Sequence, residues 1–140
     1  MSIMTAQNLH NNLKRTIKSD FEEMYQVEDE IIAFITPYVD DVDYFRIGLH
    51  EMIINAIEHG NDFDEQKLVQ VEVSICEHSI CIIIQDEGSG FDCQQQLNKE
   101  LEDLVLADEG RGLLIVDKIY DEVQFNESGN QVYLIKFREE

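Results

Sequence analysis

The residues of this 140-residue sequence whose types and spacing can do chemistry fall in three stretches, one apolar and two rich in glycine. Between Phe45 and Gly60 (FRIGLHEMIINAIEHG), Glu51, Asn55, Glu58 and His59 share one stripe at about 100° per residue. Phe45, Leu49, Met52, Ile53, Ala56 and Ile57 cover most of the remaining circumference. A helix this apolar is buried, and a carboxylate or amide carried inward with it needs a partner. Either Glu51 and Asn55 meet a ligand, or the stripe is only the rim where a core helix reaches water. The second stretch, ICIIIQDEGSGFD, ends an apolar run on Asp86, Gly88 and Gly90. The third, EGRGLLIVDKIYDEV, opens a periodic helix with Gly110 and Gly112. Glycines let backbone N–H groups approach a phosphate, and a helix that begins there turns its positive end toward it. Arg111, between that second pair, is the nearest guanidinium to such a phosphate, unless it is simply solvated.

The elements that must hold these residues follow from pattern. Residues 1–12 are polar and aperiodic, a frayed lead. Leu13 to Lys18 alternates as a short edge strand, with lysines suited to the edge. Ser19 and Glu22 form a capping box that opens a helix running through Ile35, and Pro37 ends it. The acidic run Asp40 to Asp43 caps the central helix, and Gly60 stops it. Two strands then surround a turn at His78-Ser79 with Glu77 opposite Ile80, so that Cys76 faces Cys81, Ile75 faces Ile82, Val73 faces Ile84 and Val71 faces Asp86. In that register Asp86 shares the face of the Val/Ile core, at the edge of an apolar pocket. There an ionised carboxylate can accept a hydrogen bond from a ligand's amino group but has no proton to offer an acceptor oxygen. The plainer alternative is that Asp86 caps the following turn. After a polar interval, Leu113, Ile115, Val116, Ile119 and Tyr120 mark a helix, and two strands, near 123–126 and 131–137, close the chain. This order predicts an α/β fold: an α+β two-layer sandwich, a mostly antiparallel sheet with helices on one face, forming a single domain over residues 1–140.

Glu51 and Asn55, then Asp86, Gly88 and Gly90, then Gly110 and Gly112, in this order, resemble the asparagine box and two glycine boxes of the histidine-kinase-like (GHKL) ATPase superfamily. Within it, the Glu-x-x-x-Asn spacing, His59-Gly60, Gly90-Phe91-Asp92 and Asp121-Glu122-Val123 resemble the anti-sigma-factor serine/threonine kinases of bacterial partner-switching systems. The resemblance covers residues 10–140. It implies that ATP is the nucleotide and that Glu51 is the general base taking a proton from a serine hydroxyl. Its alternative role is to hold a magnesium-bound water. Asn55 offers a neutral amide oxygen to Mg²⁺, which keeps waters and phosphate oxygens for its other positions. Residues 93–109 correspond to the nucleotide lid. An arginine near the second glycine box contacts the terminal phosphate in such proteins, sometimes from before the first glycine; here Asp108 and Glu109 stand there and Arg111 follows.

Thirty acidic against ten basic residues leave a formal charge of −20. That charge opposes the phosphate contacts of nucleic-acid binding and repels anionic membranes. No apolar run approaches the roughly 20 residues of a membrane span, so the expected compartment is the cytoplasm. Cys76, Cys81 and Cys93 have no metal-ligand spacing and read as reduced thiols without a catalytic role.

The leading expectation is a serine kinase and anti-sigma factor that binds a sigma factor and phosphorylates an anti-anti-sigma antagonist. The alternative is a non-catalytic module in which ATP sets the conformation that grips a partner. A sensor histidine kinase would need a phosphoacceptor hairpin, and a clamp-type ATPase a transducer domain, that these residues lack. The sheet face carrying Ser74, Cys76, Cys81 and Ile83 is less polar than a solvated face should be. This face or its edge is therefore expected to form a homodimer interface.

Overall fold

The computed structural model describes residues 9–88 and 115–138. Five strands form one antiparallel sheet in the order β1-β2-β3-β5-β4: β1 Leu9–Lys18, β2 Leu68–Cys76, β3 Ser79–Gln85, β4 Glu122–Phe125 and β5 Gln131–Phe137. Between β1 and β2 run helix α1 (Phe21–Ile35), a 3₁₀ turn (Thr36–Tyr38) and the central helix α2 (Val42–Asn55), which ends in a π-type turn, Ala56–Gly60. Residues 115–119 are also helical. The two-layer, antiparallel architecture is the one expected.

One core joins both helices to one sheet face. Met24, Val27 and Ile31 of α1, and Phe45, Leu49, Met52 and Ile53 of α2, pack with Val69, Val71, Val73, Ile80, Ile82 and Ile84. Val116, Ile119 and Tyr120 complete it. Ile115 of that helix is exposed, and Leu113 lies outside the described residues. The Tyr120 hydroxyl donates to the Phe45 carbonyl at 3.1 Å, satisfying a polar atom the core would otherwise strand. Burial pushes the Tyr120 phenol well above its ordinary pKa.

Several local features differ from expectation, each for a tertiary reason. The edge strand starts at Leu9, not Leu13, because β2 offers partners along its whole length, with an irregularity between Leu9 and Asn11. Residues 9–12 are therefore strand and not frayed lead. The cap of α1 is Asp20, whose side chain accepts from the Glu22 amide at 2.9 Å. Ser19 cannot serve, since its hydroxyl is buried and donates to the Lys67 carbonyl. Asp41 caps α2 as expected. The β2–β3 register is shifted by two residues: Val71 opposes Ile84, Val73 opposes Ile82, and Cys81 opposes Ser74 and not Cys76. Arg138 explains the shift. Its guanidinium donates to the Cys76 and Glu77 carbonyls and its amide to that of His78, which holds the turn at Glu77-His78. A shift of two preserves the faces, so Asp86 still belongs to the core side.

The far sheet face is the larger correction. Ser74, Cys76, Cys81 and Ile135 are buried within the single chain, and of the apolar side chains on this face Ile83 and Tyr133, paired across β3 and β5, remain half-buried while Phe137 at the end of β5 is exposed. The broad exposed apolar face expected from alternation is reduced to a narrow strip. Cys76 and Cys81 are free thiols, and burial pushes Cys81 up to about 11, which suits packing and not nucleophilic chemistry.

Candidate functional site

The central helix places its polar edge as its period requires. Its apolar positions Phe45, Leu49, Met52, Ile53, Ala56 and Ile57 are all buried, whereas Glu51, Asn55 and Glu58 are half-buried and His59 is exposed. Among the described residues the Glu51 side chain makes no hydrogen bond or ion pair. The Asn55 amide nitrogen makes one long contact, 4.0 Å, with Met52 Sδ, and among the described residues its oxygen accepts no hydrogen bond. Both functional groups are thus left available at a rim.

Asp86 arrives from the other layer. It follows the last residue of β3, and its amide donates to the Asn130 carbonyl at 2.9 Å, which extends the β3–β5 pairing by one bond. Its carboxylate is buried, with 8% exposure, and one oxygen accepts the Gly88 amide at 2.8 Å. Desolvation raises its pKa above the ordinary carboxylate value, against the opposing pull of the Gly88 hydrogen bond and the charge of Lys67. The turn alternative is half right, since Asp86 does cap the next residues, yet this leaves its second oxygen without a described partner.

Asn55 and Asp86, 31 positions apart in sequence, line one small cleft between α2 and the sheet. Met52, Ala56, Ile84 and Val132 give it apolar walls, and Phe125, Asn130 and Gln131 close its far side. Apolar walls with one buried carboxylate at the end match the chemistry of a flat heterocycle bearing an amino group, although the cleft as it stands is only about 30 Å³ and has to widen to admit one. The approach is tight. A side-chain carbon on Gly60 would collide with the Asp86 carboxylate, and one on Gly88 with the Gly60 carbonyl. Gly60, read from sequence as a helix stop, is therefore also the floor beneath Asp86.

Gly90, Gly110, Arg111 and Gly112 lie outside the described residues, as do Cys93 and the interval 93–109. Asn130 and Gln131 were not foreseen as lining, because polar residues in a turn and at a strand start carry no periodic signal, nor was Phe125, whose place at the end of β4 gives no sign of the cleft it meets across the layers. A larger cavity, about 620 Å³, opens at the opposite end of the sheet between Tyr38, Tyr44, Phe137 and Arg138 and contains none of the foreseen site residues. Among the described residues no helix is long and apolar enough to cross a membrane.

Comparison with known proteins agrees with the geometry. The family model described as "Histidine kinase-like ATPase domain" matches residues 19–136. A protein named anti-sigma F factor, from Clostridium perfringens, is 28% identical over 117 residues, covering 81% of this chain and 84% of that protein. A protein of the same name from another strain of that species is 33% identical over 85 residues, and the match spans only 61% of its length. The serine-protein kinase RsbW of Bacillus subtilis is 27% identical over 106 residues, covering 70% of this chain and 66% of the kinase. With residues 19–136 matched, and with Asn55 of the central helix and the Asp86 turn meeting at one cleft, this chain belongs to the histidine kinase-like ATPase domain family.

Proposed function

We propose that this chain, acting as one domain, is an ATP-dependent protein serine kinase and anti-sigma factor. In a partner-switching system it binds a sigma factor and phosphorylates a serine of an anti-anti-sigma antagonist. The observation that carries the reading is the convergence of Asn55 and Asp86 on one apolar cleft. The names of the similar proteins, anti-sigma F factor and serine-protein kinase RsbW, supply the partner classes.

Adenine lies between the apolar walls, with its amino group donating to the Asp86 oxygen that Gly88 does not use. Gly88 and Gly90 allow the backbone to pass close to the base, and the amides at Gly110 and Gly112, with Arg111, hold the phosphates. Asn55 fits a magnesium ion: its oxygen has no described partner, and this ion takes one or two protein ligands beside water and phosphate oxygens. When bound, the ion neutralises charge on the phosphates. Glu51, one turn before Asn55 on the same helix, accepts the proton of the attacking serine hydroxyl. As the new O–P bond forms, the bond from the γ-phosphorus to the bridging oxygen breaks and ADP leaves with that electron pair.

A formal charge of −20 argues against nucleic acid and anionic membranes as partners and suits a cytoplasmic protein. The assembly is a homodimer using the Ile83 and Tyr133 strip. The test is transfer of the γ-phosphoryl group of ATP to a serine of a protein that co-purifies with this chain, with mass spectrometry locating the product. Nucleotide-dependent capture of partners without any transfer would favour the non-catalytic module instead.

A further inference from the structure

The two halves of the cleft belong to different layers, and Asn61 joins them. Its side chain is fully buried, with 0% exposure, directly after the π-type turn that ends α2. Its amide nitrogen donates to Ser19 Oγ and to the Leu68 carbonyl, both at 2.9 Å, and its oxygen accepts the Glu87 amide at 2.8 Å. Three of the four hydrogen-bonding positions of the side chain are therefore used, and they go to three segments: the link between β1 and α1, the start of β2 and the turn after β3. Ser19 passes the constraint on to the Lys67 carbonyl, and the Glu87 carboxylate returns to the Leu68 amide. The loop so held is strained, since Asp62 and Phe63 both take positive φ, at 56° and 59°. Such conformations persist only where surrounding contacts over-determine them.

We infer that Asn61 is a positioning residue for adenine recognition, holding the Asp86-Glu87 peptide against the end of the central helix so that the Asp86 carboxylate faces the base. This rests on the proposed ATP site. The Glu87 amide that Asn61 holds is one peptide bond from Asp86, and Gly60, which Asn61 follows, packs beneath the same carboxylate. Released from Asn61, the turn keeps its Gly88 hydrogen bond but loses its reference to α2.

The experiment is calorimetric titration of the full chain with ATP and with inosine triphosphate, in which an oxygen replaces the amino group that Asp86 reads. Wild type prefers ATP, and Asp86→Ala abolishes the preference. Asn61→Ala lowers the ATP-over-ITP preference at least about fivefold, the scale of one misaligned hydrogen bond, while ITP affinity stays near that of wild type. Ser19→Ala, which removes the acceptor of one Asn61 bond, shifts the ratio in the same direction by less and decides the matter if Asn61→Ala does not fold. An unchanged ratio in these variants, or a parallel loss of both nucleotides, overturns the inference and leaves Asn61 a purely structural residue. A wild type with no preference for ATP instead removes Asp86 as the adenine reader, and this inference with it.

Discussion

The imidazole of His50 meets the carboxylate of Glu28 at 2.8 Å, and Glu28 is almost wholly buried between α1 and α2. Tyr25 stacks on the same ring at 5.9 Å. A carboxylate taken out of water demands such a partner, so the pair ties the central helix to its neighbour one residue before Glu51. The relationship reaches the site, because it resists rotation of the helix that presents Glu51 and Asn55.

Glu28→Ala should therefore destabilise the fold by about 1–3 kcal/mol, the cost of stranding a partly buried polar partner. His50→Ala should cost a similar amount by leaving the carboxylate unpaired. The double variant should lose less than the sum. Urea unfolding checks this, and strictly additive losses would mean that the two residues are not coupled.

Asp86→Asn should separate stability from function. Burial raises the Asp86 pKa above its unfolded value, so the folded state holds this proton more tightly and ionisation costs stability as pH rises through that interval. The variant, spared that cost, should melt higher than wild type at neutral pH and lose the advantage below the ordinary carboxylate range. Nucleotide binding should move oppositely, weakening by roughly 1–3 kcal/mol for ATP. In wild type, ATP affinity should fall on acidification at a higher pH than an unperturbed carboxylate would give. A variant that melts lower at neutral pH, or GTP binding wild type as tightly as ATP, would count against this account.

Glu51→Gln keeps the size and helix propensity of the side chain and removes only its basicity. Phosphoryl transfer should slow by about 10²–10⁴-fold, with ATP affinity nearly unchanged. Single-turnover transfer from radiolabelled ATP to the antagonist measures this. An unaltered rate would reassign Glu51 to holding a metal-bound water.

Ile83→Lys places a charge in the middle of the half-buried strip on the far sheet face, opposite Tyr133. The expected result is a monomer in sedimentation velocity that binds nucleotide as wild type does. A wild type already monomeric at tens of micromolar would refute the dimer.

Much of this protein was determined by its sequence alone. The periods of 3.6 and 2 located the central helix, both hairpins and the core face, because burial of one side of an element is written directly into residue spacing. The types and spacing of Glu51, Asn55, Asp86 and the glycines named the family for the same reason, since each is needed locally. Tertiary structure alone decided the β2–β3 register, which Arg138 sets from the end of β5, and the use of Asp20 in place of Ser19 as the helix cap. It also decided that Ser74, Cys76 and Cys81 are buried, and that Asn61, to all appearance a loop residue, joins Ser19, Leu68 and Glu87. These depend on which polar groups meet across layers. A hydrogen bond between residues dozens of positions apart leaves no period in the chain, so only the folded arrangement can reveal it.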